Sequence, residues 1–406
     1  MIQVAIMGYG TVGSGVAEVI HTNREGIKRE LKEDMEVKYI LDLRDFPGDP
    51  EEKKIVHDFD IIVNDPEIDI VVETMGGVHP AYEFSKRALE AGKSVCTSNK
   101  ELVASCGAEL LETAKEHNVN YFYEASVGGG IPIIRPLNSC LTADEIEEIT
   151  GIVNGTTNYM MTEMTEKGAD FNEVLKDAQA KGYAEKDPTA DVEGYDACRK
   201  IAILTSLVCG QQVDFEDIHT EGITKITPTD IKYAQAMGRA IKLLATSKKG
   251  PKGYTAIVAP FLLPASHPLY AVNGVFNAVF VHGNVLGDAM FYGSGAGKLP
   301  TASAVVADVV DEAKHLNRNI MTMWKEEKLQ LEDKADSKRR FFVRIKGKEE
   351  ELVPQLKESY GEIEVVKVPE LEGEFGFVTP VMMEGDYETR SKLYKEQIVH
   401  MIRIQD

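Results

Sequence analysis

Along residues 1–130, short apolar runs alternate with stretches in which apolar positions recur every three or four residues. The runs predict strands at 2–7, 36–43, 60–63, 69–74, 94–98 and 119–123, and the stretches predict helices at 12–21, 79–91 and 99–117. Such alternation is the mark of a parallel sheet covered by helices, since each crossover between parallel strands is made by a helix that buries a sheet face. From about residue 131 the rhythm lengthens. Helices are expected at 156–167, 171–180, 192–209 and 229–246, mixed with strands near 145–153, 253–262, 275–281 and 284–291. This reads as an α+β second domain, inserted before a helix at about 299–316 that returns to the first.

Residues 325–340 are almost all charged, which is linker behaviour or a solvated helix. The tail then repeats strand, helix, strand twice: 341–345, 349–358 and 363–368, then 375–382, 386–396 and 399–404. The fold class expected is α/β, in three parts. A Rossmann dinucleotide-binding domain spans 1–130, completed by a returning helix within 299–320. A substrate-binding and dimerisation domain spans 131–298, and a small βαββαβ module spans 341–406 after the linker at 325–340. A module of that size is more often regulatory than catalytic.

Charge and cysteine content narrow the partners. Forty-five Lys and Arg face 66 Asp and Glu, a net charge of −21, which disfavours non-specific binding to nucleic acid or anionic membrane. Local backbone amides still allow an anionic cofactor. The five cysteines have no C-x-x-C spacing, and a strand-like run opens the chain without a signal-type segment, so a reducing cytoplasm is expected.

Gly8-Tyr9-Gly10-Thr11-Val12-Gly13 follows the first strand and opens the first helix. The first glycine permits the turn, the second admits a pyrophosphate, and the third lets helix pack on strand. Phosphates then lie against the amides of Thr11, Val12 and Gly13 at the positive end of the helix dipole. A purely structural glycine-rich turn is the alternative. The next strand ends Leu41-Asp42-Leu43-Arg44. Asp42 suits the ribose diol of NAD and Arg44 the 2′-phosphate of NADP; the arginine favours NADP, and a surface ion pair is the bland reading. Gly293-Ser294-Gly295-Ala296-Gly297-Lys298 resembles a P-loop but is one residue too short and is followed by Leu299 instead of Ser or Thr, so close approach to the cofactor or a helix-entry turn is expected.

Two lysines carry candidate chemistry. Ser98 and Glu101 read as a capping box that places Lys100 in a first helical turn, where the helix dipole disfavours a cation and pushes its pKa down. A solvated first-turn lysine is the alternative. Lys200 ends the acidic segment 182–200, which leads into the apolar helix at 201–208. A lysine in a buried setting can take the proton of an alcohol as hydride leaves for nicotinamide. Glu185 and Asp196 would then hold a cationic amino group. The bland reading is an Asp196–Lys200 helix pair with Asp191 as an N-cap.

Together with Thr97-Ser98-Asn99-Lys100, Glu124–Ile134 and Asn154-Gly155-Thr156-Thr157-Asn158-Tyr159, these motifs make the chain resemble a homoserine dehydrogenase along essentially its whole length. The resemblance implies NAD(P)-dependent interconversion of L-homoserine and L-aspartate 4-semialdehyde in threonine, methionine and isoleucine biosynthesis. It implies Lys200 as the acid–base and Lys100 as a second essential lysine near the cofactor, which Ser98 also borders. Glu185, Asp196, Asp191 and Thr156 would line the substrate pocket, with Gly182 and Gly297 against the cofactor. A monovalent cation, sodium by expectation, is implied at Glu124 and the carbonyls of Val127, Gly129 and Ile131. A homodimer or homotetramer is implied as well. The tail resembles an ACT domain. Its first strand runs through Arg344-Ile345-Lys346-Gly347-Lys348 straight into an acidic helix, without the Asp-x-x-Gly-type turn of an effector site. A dimerising role is implied there, and threonine feedback is left open.

Two rival readings remain on the sequence alone. An aspartate-semialdehyde dehydrogenase needs a cysteine nucleophile with a base, and the cysteines here sit in apolar or helical settings. A non-catalytic amino-acid sensor would use the dinucleotide only as a structural ligand, which the crowded lysine–carboxylate segment argues against.

Overall fold

The alternation over the first 130 residues builds a six-stranded parallel sheet, seen in a computed structural model that describes residues 1–321 and 324–406. Its elements are β1 (Ile2–Met7), α1 (Thr11–Thr22), α2 (Arg24–Leu31), β2 (Met35–Leu41), β3 (Ile55–Val56) and α3 (Phe59–Val63). After them come β4 (Ile70–Glu73), α4 (Ala81–Glu90), β5 (Ser94–Thr97), α5 (Lys100–Glu116) and β6 (Tyr121–Phe122). The strand order β3-β2-β1-β4-β5-β6 is that of the doubly wound dinucleotide fold, which leaves a crevice beyond the carboxyl ends of β1 and β4 where the order reverses. β4 and β5 are buried on both faces, which explains their unbroken apolar runs.

Residues 60–63 are helical rather than extended, because Asp58 caps the turn by accepting from the Asp60 amide. Helix α2 is a second departure. Its eight residues bury only Ile27, so it carries no apolar periodicity to read.

The following elements are β7 (Ile146–Ile152), α6 (Gly155–Lys167), α7 (Phe171–Ala180), α8 (Thr189–Val192), α9 (Tyr195–Cys209), β8 (Gln211–Gln212) and β9 (His219–Thr220). Then come α10 (Pro228–Ala236), β10 (Arg239–Lys249), β11 (Tyr254–Pro264), β12 (Phe276–Gly283), β13 (Gly287–Ser294), α11 (Lys298–Lys314) and β14 (Lys325–Lys328). The helix expected over 229–246 ends at Ala236. Gly238, at φ +64°, turns the chain, and 239–249 become a strand between β7 and β11. That run is buried on both faces, where a strand and a buried helix look alike in sequence.

The tail contains β15 (Lys338–Lys346), α12 (Glu349–Tyr360), β16 (Glu364–Val366), β17 (Glu374–Val378), β18 (Met382–Met383), α13 (Glu384–Ser391) and β19 (Ile398–Ile404). Its main strands pair antiparallel in the order β19-β15-β17-β16, around a core that includes Phe341, Val343, Leu356, Tyr360 and Phe377. β19 also pairs with β11, Phe261 opposite Arg403 and Leu262 opposite Ile404, so the tail continues the sheet of β7, β10 and β11. The charged stretch 325–340 is structured rather than a bare linker. β14 pairs with β8 while its side chains stay exposed, and β15 begins at Lys338.

Two units result: Met1–Glu145 with Ala202–Phe215 and Phe291–Leu329, and Ile146–Ile201 with Glu216–Met290 and Gln330–Asp406. In the first, α11 packs on α1 at Gly15, where a Cβ would stand 2.9 Å from the Lys298 carbonyl. Among the described residues, no helix is long and apolar enough to cross a membrane.

Candidate active site

In the first unit the turn after β1 is shaped by what its glycines lack. Gly8 has φ +94°, and a Cβ on Gly13 would lie 1.9 Å from the Gly8 carbonyl oxygen. Gly10 faces open space, with no atom within 4 Å of where its Cβ would stand. No side chain caps α1 and no acidic residue lies in its first turn. The first amides of the helix, including those of Thr11, Val12 and Gly13, are thus left for an anion, and the residues fit a dinucleotide pyrophosphate.

Just beyond β2, the Asp42 carboxylate accepts from the Tyr9 amide at 2.8 Å, and from Arg44 through its amide at 3.0 Å, Nε at 2.9 Å and Nη2 at 3.0 Å. The Arg44 guanidinium holds the Asp42 carboxyl well below the usual carboxylate range. That guanidinium is itself mostly exposed and lies over the Phe46 ring at 5.0 Å. At the end of β4, Glu73 is fully buried and accepts from Thr97 Oγ1 at 2.5 Å and the Met75 amide at 2.7 Å; burial raises its pKa.

Lys100 is the first residue of α5, but the cap differs from expectation. Asn99, not Ser98, caps the helix by accepting from the Leu102 amide at 3.2 Å, and no Ser98–Glu101 capping box forms. Asn99 is held in turn by Thr97 Oγ1 and by the Gly77 carbonyl, which its side chain reaches at 2.6 Å. A bonded Asn takes the cap from the Ser one position earlier.

The loop after β6 packs against the second glycine-rich turn. The Gly130 amide donates to the Ser294 carbonyl at 3.0 Å, and a Cβ on Gly129 would lie 2.2 Å from the Gly295 oxygen. Gly297, at φ +119°, enters α11 without a side-chain cap. Beneath this loop Glu124 is buried, its carboxylate accepting from the amides of Ile133, Ile134 and Arg135 at 2.6, 2.8 and 2.7 Å. Asp308 accepts from the Glu124 amide at 2.9 Å and pairs with Arg135; burial, with Glu124 nearby, raises the Asp308 pKa against the pull of Arg135.

In the second unit, α9 places Asp196 and Lys200 one turn apart, Nζ to Oδ2 at 2.8 Å, and both side chains are buried. Lys200 Nζ also donates to the Val153 carbonyl at 2.7 Å. Asn154 ties this pair to α8, its Nδ2 donating to Asp191 Oδ1 at 2.7 Å and Asp196 Oδ2 at 2.9 Å. Its other amide atom caps α6 by accepting from the Thr157 amide at 2.8 Å. Gly194, at φ +85°, makes the sharp turn from α8 into α9. Thr156 Oγ1 donates to the Tyr183 carbonyl at 2.6 Å. Gly182 has φ +74° and open space at its Cβ position.

With this geometry in view, comparison with known proteins is direct. The homoserine dehydrogenase family profile matches residues 132–310, and the profile of that family's NAD-binding domain matches residues 8–124. The chain is 43% identical to a homoserine dehydrogenase of Bacillus subtilis over 329 residues, 79% of this chain and 74% of the relative. Against the Pseudomonas aeruginosa enzyme the identity is 45% over 312 residues, 76% of this chain and 72% of that one. The chain belongs to the homoserine dehydrogenase family. It is an NAD(P)-dependent oxidoreductase interconverting L-homoserine and L-aspartate 4-semialdehyde, and its first unit carries the NAD-binding fold.

Solved homoserine dehydrogenase structures agree. That from Thiobacillus denitrificans has a TM-score of 0.90 at 34% identity, covering 100% of this chain and 98% of that one. A hyperthermophilic archaeal homoserine dehydrogenase in complex with NADPH has a TM-score of 0.67 at 29% identity, over 77% of this chain and 98% of that one.

Of the homoserine-site residues expected from sequence, Asp191, Asp196 and Lys200 meet in one cluster, and Thr156 lies two residues past the Asn154 clamp. Glu185 stands apart. Its side chain is exposed, and its backbone carbonyl accepts from Gln179 at 3.0 Å. Sequence reasoning assigned no role to Asn154 or Glu73. The signals were present, an Asn immediately before a Gly-Thr-Thr helix start and an acid closing the apolar run Ile70-Val71-Val72. Of the thiols, Cys96 and Cys198 are buried, and burial pushes the Cys96 thiol well up, which suits neither to the role of nucleophile.

Proposed function

We propose that Lys200 is the acid–base group of this homoserine dehydrogenase and that Asp196, Asp191, Glu185 and Thr156 line the homoserine pocket. The buried contact between Lys200 Nζ and Asp196 carries this reading. A bound nicotinamide would supply the acceptor for the hydride that leaves C4 of homoserine. The proton of the C4 hydroxyl passes to neutral Lys200 Nζ, and Asp196 stabilises the ammonium so formed. In the reverse direction that ammonium protonates the aldehyde oxygen. The Asn154 amide holds Asp191 and Asp196 as a pair of anions suited to the substrate's α-ammonium, with Glu185 closing from the loop beyond α7. Burial of the cluster excludes water and strengthens these charges.

Gly8, Gly10, Thr11, Val12 and Gly13 would hold the pyrophosphate, with Ser98, Lys100, Gly182 and Gly297 bordering the cofactor. Arg44, exposed beside Asp42, favours NADP over NAD. A monovalent cation, sodium by our reading, would sit at Glu124 and the carbonyls of Val127, Gly129 and Ile131. Among the described residues those three carbonyls accept no backbone N–H, and an oxygen-only set suits a hard cation. We read the tail as an ACT-like module, on the strength of its βαββαβ order and antiparallel strand order. A homodimer is supported by the β12–β13 edge hairpin, which exposes Phe276, Val285, Leu286 and Met290.

The test is nicotinamide absorbance with L-homoserine, run separately with NAD and NADP, on the intact chain and on Asp196→Asn and Glu185→Gln. Faster turnover with NADP and a raised homoserine KM in both variants are expected. An unchanged KM removes the role assigned to that carboxylate.

A further inference from the structure

The C-terminal module meets the segment after β9 through a buried ion pair. Arg403, on β19, is 2% exposed and lies between two carboxylates. Its guanidinium bonds to fully buried Glu384 of α13 at 2.5–3.2 Å and, through Nη2, to Glu221 at 2.9 Å. Glu221 follows β9 and is fixed on both sides: its amide donates to the Val258 carbonyl at 2.7 Å, and its carboxylate meets His219 Nε2 at 2.5 Å. Burial alone would raise its pKa, yet His219 and Arg403 hold the carboxyl well below the usual range.

The next two residues grip the turn that leads into α9. The Ile223 amide donates to the Val192 carbonyl at 2.8 Å. Gly222 packs so closely that a Cβ would lie 2.0 Å from that same oxygen and 2.4 Å from Glu193 Cα. A Cβ on Gly194 would in turn stand 3.2 Å from Thr220 Cγ2. The 220–223 segment therefore clasps residues 192–194, and these separate Asp191 from Asp196 and Lys200.

We propose that Glu221 and Arg403 form a positioning pair for the homoserine site. Through it the C-terminal module fixes the 192–194 turn, and so the direction in which α9 presents Asp196 and Lys200. The proposal rests on reading the Asp191–Asp196–Lys200 cluster as the substrate site. Packed interiors transmit such constraints because the turn has no free volume in which to relax.

The experiment uses the full chain and four variants: Glu221→Gln, Arg403→Lys, Asp196→Asn and, as control, Arg344→Lys. Glu221→Gln leaves Arg403 paired with Glu384, so no buried charge is stranded and folding should survive. Arg344 makes a comparable buried pair between the module and Asp230 of α10, at 2.8 Å, on α10 instead of on the 220–223 segment. The expected result is a homoserine KM raised about fivefold or more in Glu221→Gln and Arg403→Lys. The cofactor KM should stay constant and Arg344→Lys should be unaffected. An unchanged homoserine KM in Glu221→Gln and Arg403→Lys, even with a lowered thermal midpoint, overturns the positioning role, as does an equal rise in Arg344→Lys. An unchanged KM in Asp196→Asn sinks instead the substrate-site reading beneath it.

Discussion

The proposed phosphate cradle after β1 and the lysine–carboxylate cluster at the start of α9 use opposite means. The cradle would work by absence: Gly8, Gly10 and Gly13 leave out side chains, so that backbone amides stay open to an anion. The cluster works by presence, packing Asp191, Asp196 and Lys200 around one Asn154 amide. A backbone site tolerates no added atom, whereas a side-chain site depends on every partner staying paired. Substitutions should therefore fail differently in the two places.

Gly13→Ala should have the largest effect on the cradle. The added methyl overlaps the Gly8 carbonyl, and the turn must move; dinucleotide affinity should fall about 100-fold or more while the homoserine cluster is untouched. Titration of dinucleotide fluorescence checks this, and near-normal affinity would mean the turn is not the phosphate site. Asn154→Ala probes the cluster. It leaves Asp191 and Asp196 without their shared donor, a loss of roughly 1–3 kcal/mol, so homoserine KM should rise from about fivefold to 100-fold with cofactor affinity kept. Parallel loss of cofactor affinity would erase the contrast between the regions.

Arg44→Ala is milder. The preference for NADP over NAD should drop about tenfold, from the low end of the roughly 1.5–3 kcal/mol of a charged hydrogen bond since Arg44 is mostly exposed, and equal kcat/KM ratios before and after would return Arg44 to a surface ion pair. A separate test reads stability instead of activity and concerns Lys242, a buried lysine that, unlike Lys200, pairs with neutral acceptors: the Val272 carbonyl, Asn273 and Asn158. Burial pushes its ammonium down to about 8, with Glu166 only partly offsetting. Between pH 8 and the unfolded value of ~10.4, the unfolded chain binds the proton that the folded chain has lost, so folding gains stability as pH rises. Urea unfolding should show the intact chain gaining on Lys242→Met across that window; a constant difference would mean that Lys242 stays charged when folded.

The two regions also differ in how far they could be read from sequence. The glycine turn was legible because its three glycines fall within six residues and follow a strand, so a local pattern specifies a local shape. The Asp196–Lys200 pair was legible for the same reason, as an i,i+4 spacing on one helix. Asn154 was not assigned because its partners lie 37 and 42 residues away, a closure that only the tertiary fold makes. Burial likewise hid β10, whose two-sided apolar run looks helical, and side-chain competition moved the α5 cap from Ser98 to Asn99. The charged stretch 325–340 misled because charge reports where side chains point, while β14 is held through its backbone.

The most direct test of the account is single-turnover nicotinamide absorbance with L-homoserine and NADP on Lys200→Ala, beside the intact chain, with dinucleotide affinity measured on both. Removal of a general acid–base predicts a hydride-transfer rate lower by roughly a hundred- to ten-thousandfold with dinucleotide affinity unchanged. Near-normal hydride transfer in Lys200→Ala would contradict it and return the Asp196–Lys200 contact to a structural ion pair.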